Sequence, residues 1–251
     1  MIEEIYTIAS REIKKLYTKK YLLFLYLIID IGLIFLIGSS LENFVDIKRF
    51  NISYTKFFGP SIITLIVSWG ASNIGYNIIE DKRGSIKQLL VAPISRYSIL
   101  FGKILAQMLN NLILFSIIIF IFLAITKSMN LLNFIFSLGL LFLIIFGFYG
   151  FGLWFGSLFK NTRSFREIFR YISFFLILTS GALQPINTMP EIFRNLVYLN
   201  PLTYSIDALR FTLFGFSEIN FFVDVLILFI FCFLGVFFGT YFFEKNLRDR
   251  Y

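Results

Sequence analysis

The run LLNFIFSLGLLFLIIFGFYGFGLWFGSLF, residues 131–159, covers 29 positions without one charged side chain. Lys160, Arg163, Arg166 and Arg170 follow at once. A bilayer core about 30 Å thick is crossed by roughly 20 apolar residues in a helix. Backbone inside hydrocarbon must satisfy its own hydrogen bonds, which leaves helices and closed barrels as the choices. Barrel strands need segments of roughly 10 residues with alternating polarity, whereas this run is apolar on every face. It predicts a spanning helix, and the cations behind it mark the side on which it ends.

Working outward, five more runs predict spans. They cover about 21–38, interrupted by Asp30, then 57–79, 99–125, 171–183 and 221–243. The stretches 192–199 and 206–216 are apolar but too short to cross. The reading is an all-α membrane protein with six transmembrane helices. Composition agrees: of 251 residues, 58% are hydrophobic and 20% aromatic, while only 15% are charged, against about a quarter in a soluble domain. There is no His, which removes the usual general base, metal ligand and near-neutral pH switch. A single Cys232 excludes an intrachain disulfide, and no metal site is expected.

The net charge of +8 resembles a nucleic-acid footprint until its distribution is read. Of 23 Lys and Arg, 17 fall in the N-terminal segment, the loops after the second and fourth runs, and the C-terminal tail. Six lie on the other side, namely Lys48, Arg49, Lys56, Lys127, Arg194 and Arg210. The excess marks the cytoplasmic face, so both termini are expected there and no nucleic-acid partner is expected. Residues 1–40 have a basic start, an apolar run and small residues at 38–40, as a signal peptide does. The length of that run, Asp30 and the five later spans predict an uncleaved first helix.

Several polar features carry two readings. Between the second and third runs stand Glu80, Asp81, Lys82, Arg83, Gly84 and Ser85, then Leu89, Leu90, Val91, Ala92, Pro93 and Arg96. A charged lead-in, a short amphipathic turn and a Pro stop predict a small helix on the cytoplasmic face. It either docks in a partner's groove by its apolar anchors or is an ordinary basic interfacial loop. Asp30 sits mid-span, where a charge costs about 2.5–3.5 kcal/mol. It is either a pathway residue or a structural group bonded to Ser68, Ser72 or Asn73. Asn73 and Asn77, four apart, and Gln107, Asn110 and Asn111 either line a route or join helices. Gly152/Gly156 and Gly235/Gly239 permit close helix approach without naming the partner helix.

Two blocks carry a resemblance. The first runs from Glu80 through Gly84-Ser85 and Leu89-Leu90-Val91-x-Pro93-Ile94-Ser95-Arg96 to Ile99-Leu100-x-Gly102-Lys103. The second is Ser180-Gly181-x-x-x-Pro185-x-x-x-Met189-Pro190, followed by Leu199-Asn200-Pro201-Leu202-Thr203-Tyr204-x-x-Asp207-x-x-Arg210. Together they resemble the signatures of ABC-2 type transporter permeases over nearly the whole chain. Ser85 stands where many members have Thr. Lys87, where many have Glu, reverses a charge at the presumed docking surface.

The resemblance implies a single transmembrane domain over 1–251. An interfacial helix would lie within 1–20, six spans within 21–243, and a cytoplasmic tail over 244–251. It also implies a dimer of permeases served by separate ABC ATPase subunits. The stretch 5–20, with Ile5, Ile8, Ile13, Leu16 and Tyr17 fitting one face, would lie on the cytoplasmic interface. Glu80, Asp81, Arg83, Gly84, Leu89, Leu90, Pro93, Arg96 and Lys103 would form the ATPase-coupling loop. Gly181, Pro185, Pro190, Asn200, Pro201, Thr203, Tyr204 and Arg210 would form short re-entrant helices near the outer surface. Pro-bounded short apolar runs independently fit broken membrane helices.

No G-x-x-x-x-G-K-[ST] loop occurs in the sequence, so ATP and Mg²⁺ are expected on the partner subunit and no catalytic residue is assigned. The leading expectation is export of a hydrophobic or amphipathic compound across a prokaryotic plasma membrane, with Asp30, Asn73 and Asn77 as possible pathway residues. A polysaccharide or teichoic-type exporter is the rival within the family. An ion-coupled transporter using Asp30 is the rival outside it.

Overall fold

The computed structural model describes residues 2–17, 20–43, 52–83 and 96–248. In chain order the helices are α1 (Ile2–Tyr17), α2 (Lys20–Ser40), α3 (Tyr54–Arg83), α4 (Arg96–Ile125), α5 (Leu131–Ser157) and α6 (Thr162–Leu178). A 3-10 turn (Ile186–Thr188) leads to α7 (Glu191–Val197), α8 (Pro201–Phe214) and α9 (Phe221–Arg248). No strand occurs among the described residues.

Among the described residues, four stretches are long and apolar enough to cross a membrane: Tyr54–Glu80, Phe101–Ile125, Leu131–Ser157 and Phe221–Phe242. The first predicted span coincides with α2, whose apolar stretch, Phe24–Ser40, is shorter. The fifth departs most from expectation. Its helix, α6, begins nine positions before the apolar run and stops five before the run's end. Asn161 caps it, accepting from the Arg163 N–H at 3.0 Å, so the helix starts in the polar segment. Beyond Thr179 the chain turns, and Gly181 takes a left-handed φ of 68° that L side chains resist.

The centre of the bundle is α3. Two-thirds of its apolar window (67%) is buried, against 17% for α9 at the periphery. It packs on α2, α5, α6 and α8. The glycine pairs explain how closely. A Cβ on Gly152 would fall on the Ala71 carbonyl oxygen, and one on Gly156 would meet the Gly75 backbone. On the other face of α5, a Cβ on Gly150 would come within 2.6 Å of the Gly235 carbonyl carbon, and one on Gly239 within 2.8 Å of the Gly150 oxygen. The small-residue motifs therefore join α3, α5 and α9 within one chain, where backbone contact replaces side-chain packing.

At the opposite edge, α1 lies against α4. Ile8 and Ala9 are buried, and a Cβ on Gly102 would meet the Ile8 side chain at 2.8 Å. The Ser98 hydroxyl donates to a Glu4 carboxylate oxygen at 2.5 Å. The amphipathic character read from the sequence thus has a protein-facing side. One amide cross-links α4 to α5: Asn111 donates through Nδ2 to the Tyr149 hydroxyl, and Tyr149 is fully buried against Gly70.

Candidate functional site

The second signature block folds into one knot of polar contacts around Arg210. Asn200 caps α8, its Oδ1 accepting from the Leu202 N–H at 2.9 Å, and Pro201 occupies the first turn, where no backbone donor is needed. The Asn200 amide also donates to the Leu176 carbonyl at 2.7 Å and the Thr179 hydroxyl at 3.1 Å, tying α8 to the end of α6. The Thr203 hydroxyl donates to the Val197 carbonyl at 2.9 Å, and the Tyr204 hydroxyl to the Tyr198 carbonyl at 2.5 Å. Pro185 and Pro190 stand at the N-caps of the 3-10 turn and of α7. Each of these residues fixes where a short element starts or stops.

Arg210 is 2% exposed. Its Nε donates to the Phe57 carbonyl at 3.1 Å, and its Nη2 to the Ser61 hydroxyl at 3.1 Å and the Gly181 carbonyl at 3.0 Å. Its Nη1 pairs with Glu218 at 3.2 Å, and that carboxylate is also buried. The guanidinium carbon lies 3.6 Å over the Phe57 ring, a stacked geometry that arginine suits better than lysine. Burial pushes the Arg210 guanidinium down to about 10, with Glu218 and Asp207 opposing, so it stays charged at neutral pH. One side chain thereby holds α8, the start of α3 and the Gly181 turn together.

The loop after α8 completes the knot. Glu218 accepts from the Ile186 N–H at 2.7 Å. The Asp207 carboxylate accepts from the N–H groups of Glu218 (2.9 Å) and Ile219 (2.7 Å). Asp224, in the first turn of α9, is fully buried, and its carboxylate oxygens meet no donor group among the described residues. Its side chain neighbours that of Asp207. Sequence reasoning placed Arg210 but missed Glu218, Ser61 and Asp224. The available signal was that a buried arginine demands an anion, and Glu218 follows it by eight residues.

A second arrangement lies along α3. Trp69, Asn73, Asn77 and Glu80 are exposed on a helix that is otherwise largely covered. Their spacing of four, four and three puts them on one face. Asp30 is half-buried on α2 and does not join them. The Ser68 hydroxyl donates to the Leu65 carbonyl at 2.7 Å and that of Ser72 to the Trp69 carbonyl at 2.8 Å, so neither serves Asp30. Depth separates Asp30 from Asn73 as well. Gly38 of α2 abuts Thr55 of α3. From that contact, at ~1.5 Å per residue in antiparallel helices, Asp30 lies about 15 Å short of Asn73.

The first signature block lies at the far end of α3. Glu80, Asp81 and Arg83 belong to the last turn of α3 and Arg96 opens α4, so the charged lead-in is helix rather than loop. Gly84, Leu89, Leu90 and Pro93, and with them the small helix expected there, lie outside the described residues. Lys103 is half-buried one residue beyond Gly102, where α1 docks. The structure therefore separates the sequence-derived residues into two ends of one bundle, joined by α3.

Comparison with known proteins identifies the family. The family model described as ABC-2 type transporter matches residues 3–214. A protein of Cyanophora paradoxa named as transport permease ycf38 is 32% identical over 177 residues, covering 69% of this chain and 58% of its own length. A protein of Escherichia coli (strain K12) named as multidrug ABC transporter permease YbhR is 30% identical over 167 residues, covering 64% of this chain and 44% of its own. The chain thus spans about half the length of the curated relatives it matches. With residues 3–214 matched by one family model, the chain belongs to the ABC-2 type transporter family.

Proposed function

We propose that this chain is the transmembrane permease subunit of an ATP-driven exporter. It works as a homodimer beside separate ATPase subunits that hold ATP and Mg²⁺. In this reading α2 to α6 and α9 make six crossings, with both termini and the segment between α3 and α4 on the cytoplasmic side of a plasma membrane. The segment from Gly181 to Arg210 forms the re-entrant outer closure. The cargo is a hydrophobic or amphipathic compound, of drug, antibiotic or lipid-like character.

The observation that carries the reading is the exposed row Trp69, Asn73, Asn77 and Glu80 on the most central helix. Amides left bare toward lipid are costly, so such a row faces water or a second copy. It ends in the turn that opens the first signature block, so movement imposed there by an ATPase is transmitted along α3. A relative named as a multidrug ABC transporter permease supports the cargo class.

The test is co-purification with an ATP-binding subunit, followed by reconstitution into vesicles. ATP-dependent efflux of an amphipathic dye is expected, and replacing Glu80 and Arg83 together by Gln should uncouple ATP hydrolysis from it while insertion is retained. Transport driven by a proton gradient without any ATPase would overturn the proposal in favour of ion coupling through Asp30.

A further inference from the structure

Beside the cytoplasmic end of the α3 row, α6 opens with a basic face. A cavity of about 420 Å³ is lined by Tyr76 of α3 and by Thr162, Arg163, Arg166, Glu167 and Arg170 of α6. Three guanidinium groups against one carboxylate leave the wall net positive. The Arg166 guanidinium carbon sits 3.9 Å over the Tyr76 ring, and Arg163 Nε bonds Glu167 at 3.2 Å in a solvent-exposed pair. The arginines are exposed, so the face is open to a ligand from outside the chain.

The same face changes character along the helix. Arg163, Arg170 and Phe174 follow at offsets of seven and eleven, which is one helical stripe. Past the arginines, α6 exposes Phe174, Phe175 and Leu178. From Arg166 to Phe174 the rise is about 12 Å, so charge gives way to apolar surface over the distance from a headgroup to its acyl chains. A soluble anion has no use for the apolar turns, and a docking protein would not be matched to a surface that continues into hydrocarbon. Basic pockets between helices at the cytoplasmic boundary suit anionic headgroups.

We propose that the cavity formed by Tyr76, Arg163, Arg166 and Arg170 binds the phosphate headgroup of an anionic phospholipid of the cytoplasmic leaflet, with its chains along Phe174 and Leu178. The site would keep one lipid at the mouth of the proposed route. It does not depend on the identity of the cargo or on ATP.

The full chain, purified in detergent, is offered equal phosphatidylglycerol and phosphatidylcholine, and retained lipid is read by native mass spectrometry. The expected result is retention of phosphatidylglycerol over phosphatidylcholine, falling about fivefold for each of Arg163→Gln, Arg166→Gln and Arg170→Gln. Glu167→Gln should raise it by a similar factor, which keeps the test decisive if the arginine variants fold poorly. Charge removal at the opposite end, in Lys127→Gln, should leave retention unchanged. Equal retention of the two lipids, or insensitivity to both the arginine and the Glu167 changes, would overturn the proposal. So would displacement by inorganic phosphate at millimolar concentration, which would mark a free-anion site. Loss of bound phosphatidylglycerol when the ATPase subunit associates would assign the face to that subunit instead.

Discussion

Arg210 and the Asn73–Asn77 row both border α3, yet their polar groups are handled in opposite ways. Arg210 is buried, and its guanidinium bonds Phe57, Ser61, Gly181 and Glu218. Asn73 and Asn77 are turned outward from the same helix, with no hydrogen bond to another described residue. Buried polar groups in native proteins are satisfied, and in the first region the Arg210 guanidinium meets that rule within the chain. The second is complete only when something outside the chain meets it. That contrast fits an architectural Arg210 end and, in the proposed reading, a row open to partner, water or cargo.

Removing Arg210 should do the most damage. Arg210→Ala leaves Glu218 buried without its counter-charge, and losing one partner of a buried pair costs about 3–5 kcal/mol. The thermal midpoint of the detergent-solubilised chain should fall sharply. Arg210→Met with Glu218→Met should recover much of the loss, because no buried charge remains. If the double variant is as unstable as the single one, the bonds to Phe57 and Gly181 matter more than the ion pair.

Gly152→Val should come next. A side chain there meets the Ala71 carbonyl, which is backbone and cannot swing aside. Overpacking of this kind costs typically 1–3 kcal/mol. It should also splay α3 from α5 and so disturb the row indirectly, in the same thermal measurement. Gly139→Val, where a Cβ meets no atom within 4 Å, is the matched control and should be silent.

How far these regions were legible in the sequence follows from the physics of each. Residues 131–159 and 221–243 announce helices because run length and absent charge suffice, and α5 and α9 follow them closely. The start of α6 was not legible from apolarity. Its first two turns are charged, and only the Asn161 cap marks them. The second block was visible as Pro and Asn punctuation, and those residues do set the limits of short elements. Its counter-ion, Glu218, was hidden because pairing across a loop is a three-dimensional fact. The glycine motifs announced close approach but not that α3, α5 and α9 supply both sides of it. Asp30 was the least legible, since its depth relative to Asn73 depends on where Gly38 meets Thr55.

A smaller change is expected at the Asp207–Asp224 contact. Asp224→Asn places an amide beside Asp207, and an amide N–H can donate to that carboxylate directly. Stability should stay within about 1 kcal/mol of the parent, the range of a single hydrogen bond. Asp207→Asn should cost more, since its carboxylate oxygens receive the Glu218 and Ile219 N–H groups that set the start of α9. Equal losses at the two positions would mean that Asp224 has a structural role of its own.

The row on α3 should respond least in stability and most in transport. Asn73→Leu with Asn77→Leu removes two amides that bond no described residue, and interhelical amides average only about 0.6 kcal/mol even when they do bond. The thermal midpoint should therefore hardly move. In vesicles with the ATPase subunit, efflux should fall while ATP hydrolysis continues, because a wet surface has been made apolar along the proposed route. A large loss of stability in the purified protein, with normal efflux from what remains folded, would instead make the row the seam of the proposed dimer. The contrast with Arg210 would then be between a contact inside one chain and a contact between two, and α3 would connect two interfaces rather than an interface and a path.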